Sequence, residues 1–145
     1  CLPCTGDYLD NLEIPMQASN DLDKLATPFS TSIDAAEGIT TGMSVFDRLK
    51  TIEIFRNKNS SPGDLAYPGH LFPLRAKKGL LKDRRGHTEA SVELMKYSNL
   101  SPVAVIIECM NDDGTMMRGE TIDKFCKIYG LNVISVAEIY DGIYN

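Results

Sequence analysis

The chain has 145 residues, enough for one domain that buries a real core, and its composition is ordinary for a globular protein at 43% hydrophobic and 24% charged. The net charge is −5, and no basic face offsets it, which argues against a nucleic-acid binder. The longest apolar run, "VAVII", is too short to span a membrane and no charged-then-apolar signal opens the chain, so a soluble cytoplasmic protein is expected.

In chain order, "CLPCT" reads as the inside of a strand-to-turn passage. Residues 5–13, "TGDYLDNLE", predict a short helix with Thr5 as its cap and acidic residues in the first turns. "PFSTSIDA", residues 28–35, alternates like a strand, and the glycine-bracketed "EGITTG" reads as a turn. Ser44 caps a helix over 44–57, with Asp47 closing a capping box and Val45, Leu49, Ile52 and Phe55 at core-facing spacing. The stretch "NKNSSPGDLAYPG" reads as a loop with one helical turn at "SPGDL". "HLFPLRA" is extended, and its proline places it at a sheet edge or bulge.

"HTEASVELMKYS" predicts an amphipathic helix with Ala90, Leu94 and Tyr97 facing inward. "PVAVIIEC" and "LNVISV" are β-branched runs that read as strands buried on both faces. Between them "ETIDKFCKIYG" is a helix ended by Gly130, and "AEIYDGIY" a closing helix. Strands alternating with helices give a single domain of α/β (α+β) class, a mixed sheet flanked by helices.

The four cysteines are Cys1, Cys4, Cys109 and Cys126. "CLPC" has the C-x-x-C spacing of redox and zinc sites, but a second pair is missing and the only histidines are His70 and His87. Ordinary buried or half-buried thiols are the favoured reading, with Cys109 and Cys126 in the core.

The chemistry concentrates in "KDRRGHTEAS", residues 82–91. A helix that starts near Thr88 offers free N–H groups and a partial positive dipole to an anion. Arg84 and Arg85 add charge and bidentate donors, and Gly86 allows close backbone approach, so these residues build a phosphate site. The adjacent His87 suits a metal or a proton; the plainer alternative is two solvated arginines and a histidine bonded at a helix start. Glu108, at the carboxyl end of "VAVII", stands where open α/β sheets bind ligands, and suits acid–base work. Its structural alternative is a salt bridge to Arg118, just as "NDDG" is most simply a polar turn. His70, behind Pro68 and Gly69, is held by turn chemistry as a general base would be. Thr40 and Thr41 of "GITTG" present two hydroxyls to a hydroxylated ligand.

In this order and spacing, "STSIDAAEGITTGMSVFDR", "PGHLFPLRA", "RRGHTEASVEL" and "VIIECMNDDGTMMR" resemble the 3,4-dihydroxy-2-butanone 4-phosphate synthases of riboflavin biosynthesis. The resemblance covers essentially the whole chain. It implies a lyase that converts D-ribulose 5-phosphate to L-3,4-dihydroxy-2-butanone 4-phosphate and formate. It also implies Mg²⁺ or Mn²⁺ and a homodimer with active sites near the subunit interface. Carried over by motif, His87 is a metal ligand. Arg84, Arg85, Gly86, His87 and Thr88 hold the substrate, and Glu108 and His70 are essential for proton transfer. Cys1 and the threonines Thr40 and Thr41 line the substrate.

One departure stands out. The family carries an acidic arginine-containing loop of the type D-R-E-x-E-G-D upstream of the matching cysteine, and that loop supplies a carboxylate metal ligand. No segment here reproduces it. The expectation is therefore an N-terminally truncated domain over 1–145 with an intact phosphate half-site. A non-catalytic fragment or subunit that keeps the fold is the alternative. Glu37, Asp112 and Asp113 are the remaining carboxylates that could complete a metal site.

Overall fold

A three-residue strand, β1 (Leu2–Cys4), organises the first sheet of this computed structural model, which describes residues 1–18 and 27–145. β1 runs parallel to β4 (Pro73–Arg75), with Leu2 opposite Pro73 and Cys4 opposite Arg75. On its other side residues 103–106 run antiparallel: Cys4 bridges Val103, and the Ala104 N–H donates to the Pro3 carbonyl at 2.9 Å. Cys1 and Ile106 exchange main-chain bonds of 2.9 and 3.0 Å. Beyond β4, Phe29 bridges Leu74, and the Ser30 N–H donates to the Pro73 carbonyl at 2.9 Å. A second pair joins β2 (Ile33–Ala35) to β3 (Leu65–Leu71) antiparallel. Parallel and antiparallel pairing thus mix, as the α/β reading expects.

Among the described residues five α-helices accompany these strands: α1 (Gly6–Asn11), α2 (Val45–Arg56), α3 (His87–Tyr97), α4 (Glu120–Tyr129) and α5 (Val136–Tyr144). The main core gathers Leu2, Leu9, Ile33 and Phe55, all fully buried. Each such side chain taken from water contributes roughly 1.5–3 kcal/mol. A second cluster places Leu81, Ala90 and Ile139 together, which docks α5 against α3.

Several local expectations hold. Ser44 Oγ accepts the Asp47 N–H at 3.1 Å, and Gly130 ends α4 in the left-handed region at φ 63. The closing helix is present as α5, and its start carries a reciprocal Ser135–Glu138 capping box that the sequence reading did not include. At the 3-10 turn Pro62–Asp64, inside "SPGDL", the Ser61 N–H and hydroxyl both donate to Asp64 Oδ2, at 2.7 and 2.9 Å. "NDDG" is indeed a polar turn, with Thr115 Oγ1 donating to Asp113 Oδ1 at 2.6 Å and Gly114 at φ 85.

Others need correction. Thr5 precedes α1 but makes no side-chain cap bond. Asp47 does not complete a capping box, because its carboxylate turns to the Thr40–Gly42 loop instead. The strand of "PFSTSIDA" is shorter than expected, β2 alone, joined by bridges at Phe29 and Ser30. Residues 65–69, read as loop, belong to β3. Pro73 is not at an edge: β4 lies between 28–30 and β1, and the proline is tolerated as the first residue of its strand. Val45 and Leu49 are exposed, as are Leu94 and Tyr97, so α2 is held through Phe55 and Thr51 and α3 through Ala90 and Val92. "PVAVIIEC" and "LNVISV" form no strand of the expected kind, and between Val103 and Ile139 no residue is buried. Cys109 is exposed and Cys126 half-buried, not core.

The C-x-x-C spacing also resolves. Successive side chains of an extended segment alternate faces, so Cys1 and Cys4, three apart, point opposite ways. Cys1 is exposed and Cys4 buried, both free. Burial pushes the Cys4 thiol up to about 12, against the lowering effect of Arg75. The pair can neither close a disulfide nor chelate a metal.

Candidate functional site

His70 owes its position to an irregular strand pairing. Asp34 pairs with Ala66 while its neighbour Ile33 pairs with Leu71, so Tyr67 to His70 bulge away from the ladder. Such bulges re-aim side chains. The sequence permits this one because Gly69 has no Cβ: one placed there would stand 2.2 Å from the Ile33 carbonyl carbon and 2.4 Å from the Asp34 nitrogen. The Gly69 N–H is satisfied by the Ser32 carbonyl at 2.9 Å.

The bulge turns His70 onto Asp34. The His70 main-chain N–H donates to Asp34 Oδ1 at 3.1 Å, and its Nδ1 lies 2.7 Å from Asp34 Oδ2. A carboxylate only accepts, so Nδ1 carries the hydrogen, and in the neutral ring Nε2 keeps its lone pair. Asp34 is buried, whereas the imidazole is 39% exposed. That arrangement is a fixed base with access to a ligand. Asp34 went unnoticed in the sequence, although it lies inside "STSIDAA"; its signal was a lone acid in an otherwise uncharged strand.

The threonine loop closes over the same pair. Gly42, at φ 81, packs so tightly that a Cβ there would meet Asp34 Oδ2 at 2.4 Å and His70 Nδ1 at 2.6 Å. Asp47 holds the loop in this place: Thr40 Oγ1 donates to its Oδ2 at 2.8 Å, Thr40 N to Oδ1 at 3.2 Å and Gly42 N to Oδ2 at 3.1 Å. These donors, the Thr40 hydroxyl first, hold the Asp47 carboxyl below the usual range. Thr51, also buried, ties the helix to the sheet by accepting the Ala35 N–H at 2.9 Å. Thr40 and Thr41 are themselves exposed.

The second group is the start of α3. Gly86 is its N-cap and makes no side-chain cap bond, so the first N–H groups of the helix lack a capping side chain. Arg84 Nη1 donates at 2.7 Å to Oε2 of Glu89, which is fully buried and also accepts the Lys77 N–H at 3.1 Å. Arg85 instead lies with its guanidinium 3.8 Å from the Tyr140 ring centre. Thr88 is buried, His87 exposed. Free helix-start N–H groups and the Arg85 donors have the chemistry an anion would take.

The third group is Cys1 and Glu108. The Cys1–Ile106 pairing carries the chain past Cys1 to Glu108 two residues later. Glu108 is exposed and, among the described residues, has no hydrogen bond or ion pair; the salt bridge to Arg118 is not formed. Likewise no hydrogen bond among the described residues joins the His70 group to the α3 start.

Residues 1–141 match the family model described as 3,4-dihydroxy-2-butanone 4-phosphate synthase. The chain belongs to that family. The 3,4-dihydroxy-2-butanone 4-phosphate synthase of Chromobacterium violaceum is 42% identical over 143 residues, 99% of this chain and 68% of that protein. Riboflavin biosynthesis protein RibBA of Synechocystis is 46% identical over 141 residues, 96% of this chain but only 25% of that protein. The synthase structure of Candida albicans superposes with a TM-score of 0.91 at 40% identity, covering 100% of this chain and 71% of that one. A synthase solved in complex with two magnesium ions gives a TM-score of 0.89 at 29% identity, over 99% of this chain and 72% of that one. The synthase fold expected from the four motifs is therefore present.

The metal is a different matter. Among the described residues no three His, Cys, Asp or Glu side chains stand together as a set that could hold an ion. His87 is a single imidazole beside two guanidinium groups, whereas Mg²⁺ prefers oxygen ligands in octahedral geometry. Glu37 is exposed beside Gly38, and Asp113 is engaged with Thr115. The described residues do not by themselves fit a divalent ion.

Proposed function

We propose that the chain carries the substrate-binding and proton-transfer residues of a lyase that converts D-ribulose 5-phosphate to L-3,4-dihydroxy-2-butanone 4-phosphate and formate, in riboflavin biosynthesis. The observation that carries this reading is the Asp34–His70 pair, a buried carboxylate orienting a half-exposed imidazole beneath the threonine loop. Losing one carbon of a pentulose as formate requires protons to leave and rejoin carbon-bound positions, and Nε2 of His70 is the lone pair that takes them. Arg84, Arg85, Gly86, His87 and Thr88 hold the phosphate, which supplies binding energy remote from the reacting carbons. Glu108 serves as the second proton carrier, while Cys1, Thr40 and Thr41 line the sugar. The working form is a cytoplasmic homodimer that takes Mg²⁺ or Mn²⁺, with His87 as one ligand.

The absence of a ligand cluster among the described residues supports a second reading, a non-catalytic subunit that keeps the fold and the phosphate site. Formate release from ribulose 5-phosphate separates the two. The chain alone is expected to bind phosphate without Mg²⁺-dependent turnover, and a chimera preceded by a relative's acidic loop to release formate. In that chimera His70→Ala and Glu108→Gln each lower kcat by about 10²-fold or more with modest change in KM, and Arg84→Ala raises KM. A chimera that binds phosphate and Mg²⁺ but releases no formate would leave only the second reading.

A further inference from the structure

The two adjacent arginines at the start of α3 are held in opposite ways. Arg84 faces a fully buried carboxylate, so Glu89 already compensates its charge. Arg85 has no ion pair among the described residues and is exposed, yet its guanidinium is not loose: its central carbon lies 3.8 Å from the centre of the Tyr140 ring. A guanidinium held over an aromatic face leaves its N–H donors unspent, whereas a carboxylate partner would consume them.

Tyr140 is fixed in turn. Its ring packs 5.0 Å from that of Tyr144, and Tyr144 donates its hydroxyl to Glu93 Oε2 at 2.8 Å. Glu93 also accepts the Leu81 N–H at 3.4 Å, which ties this platform to the turn leading into "DRRGH". Lys82 Nζ sits 4.6 Å above the Tyr144 ring, so α5 presents two aromatic faces to two cations, Arg85 within the site and Lys82 just before it. Ile139, buried against Leu81 and Ala90, fixes the helix beneath them.

We infer that Tyr140 is a positioning residue for phosphate binding: it holds Arg85 with its donors free for the phosphomonoester of the substrate. This rests on the sugar-phosphate reading above. Inorganic phosphate titrated calorimetrically into the 145-residue chain tests it. Tyr140→Leu weakens phosphate binding by about 2- to 5-fold, the worth of an exposed cation–π contact, while Tyr140→Phe, which keeps the ring, stays within about twofold of the parent. Arg85→Ala loses at least as much, and adding Tyr140→Leu to it costs nothing more, because the tyrosine acts only through the arginine. Thermal unfolding of each variant separates this from a packing defect: a merely structural Tyr140 would weaken binding equally in the Arg85→Ala background. Unchanged affinity in Tyr140→Leu, with a clear loss in Arg84→Ala, overturns the inference alone. No phosphate binding by the parent chain overturns the sugar-phosphate reading and this inference together.

Discussion

His70 and Glu108 are the two residues assigned to proton transfer, and the molecule treats them differently. His70 is bonded twice to a buried aspartate, with two glycines letting backbone close in around it. Glu108 ends a run in which Val105 is 52% and Ile107 85% exposed, and nothing among the described residues restrains it. The first is preorganised by short-range geometry that the chain holds entirely within itself. The second lies two residues beyond the Cys1–Ile106 pairing and has no orientation. Catalytic geometry needs tight placement, so only the His70 corner is ready for chemistry as it stands.

The contrast can be broken most severely at Gly69. Gly69→Ala drives a methyl group into the main chain of Ile33, where no flexible side chain can yield. A loss of about 3 kcal/mol in urea unfolding is expected, with the His70–Asp34 bond lost from the NMR spectrum. Glu89→Ala comes next, since it strips both Arg84 and the Lys77 N–H of a buried acceptor. Full loss of a buried pair costs about 3–5 kcal/mol, but the half-exposed Arg84 is partly solvated, so about 2 kcal/mol is expected in the same measurement.

A gentler probe is pH. The Asp47 carboxyl lies below its ordinary range in the folded protein. Its hold on the loop is complete above the ordinary value of about 3.9 and is lost as the pH falls through the lower, folded one. Amide signals of Thr40 and Gly42 should titrate together in that acidic window; a midpoint at or above the ordinary value would remove Asp47 from the role. The smallest effect belongs to the other side of the comparison. Ile107→Ser should leave stability within about 0.5 kcal/mol, since its side chain is already in water. A larger loss would show that the run near Glu108 is more firmly packed than its exposure indicates.

These differences track what was legible in the sequence. Helices with local signals, such as Ser44 before α2 and Gly130 after α4, were readable because capping is decided within a few residues. "PVAVIIEC" and "LNVISV" misled because a β-branched run states what a segment is able to bury, and burial depends on neighbours that periodicity does not reveal. The site followed the same division. The candidate anion site could be named from contiguous residues 84–88. Asp34 could not, because its partnership with His70 spans a sheet bulge that no spacing rule encodes. Tyr140 was hidden for a like reason, 55 positions from the arginine it faces.

Glu89 carries one consequence for how the proposed anion site responds to its surroundings. Because a buried carboxylate screens Arg84 from within, dissolved salt has little left to screen at that residue. Arg85 and Lys82 reach solvent, where ions at physiological strength damp charge over about 8 Å. Electrolyte therefore tunes only the outer part of the attraction, and the affinity for phosphate should decline with added salt to a floor set by Arg84 and the helix start rather than to zero.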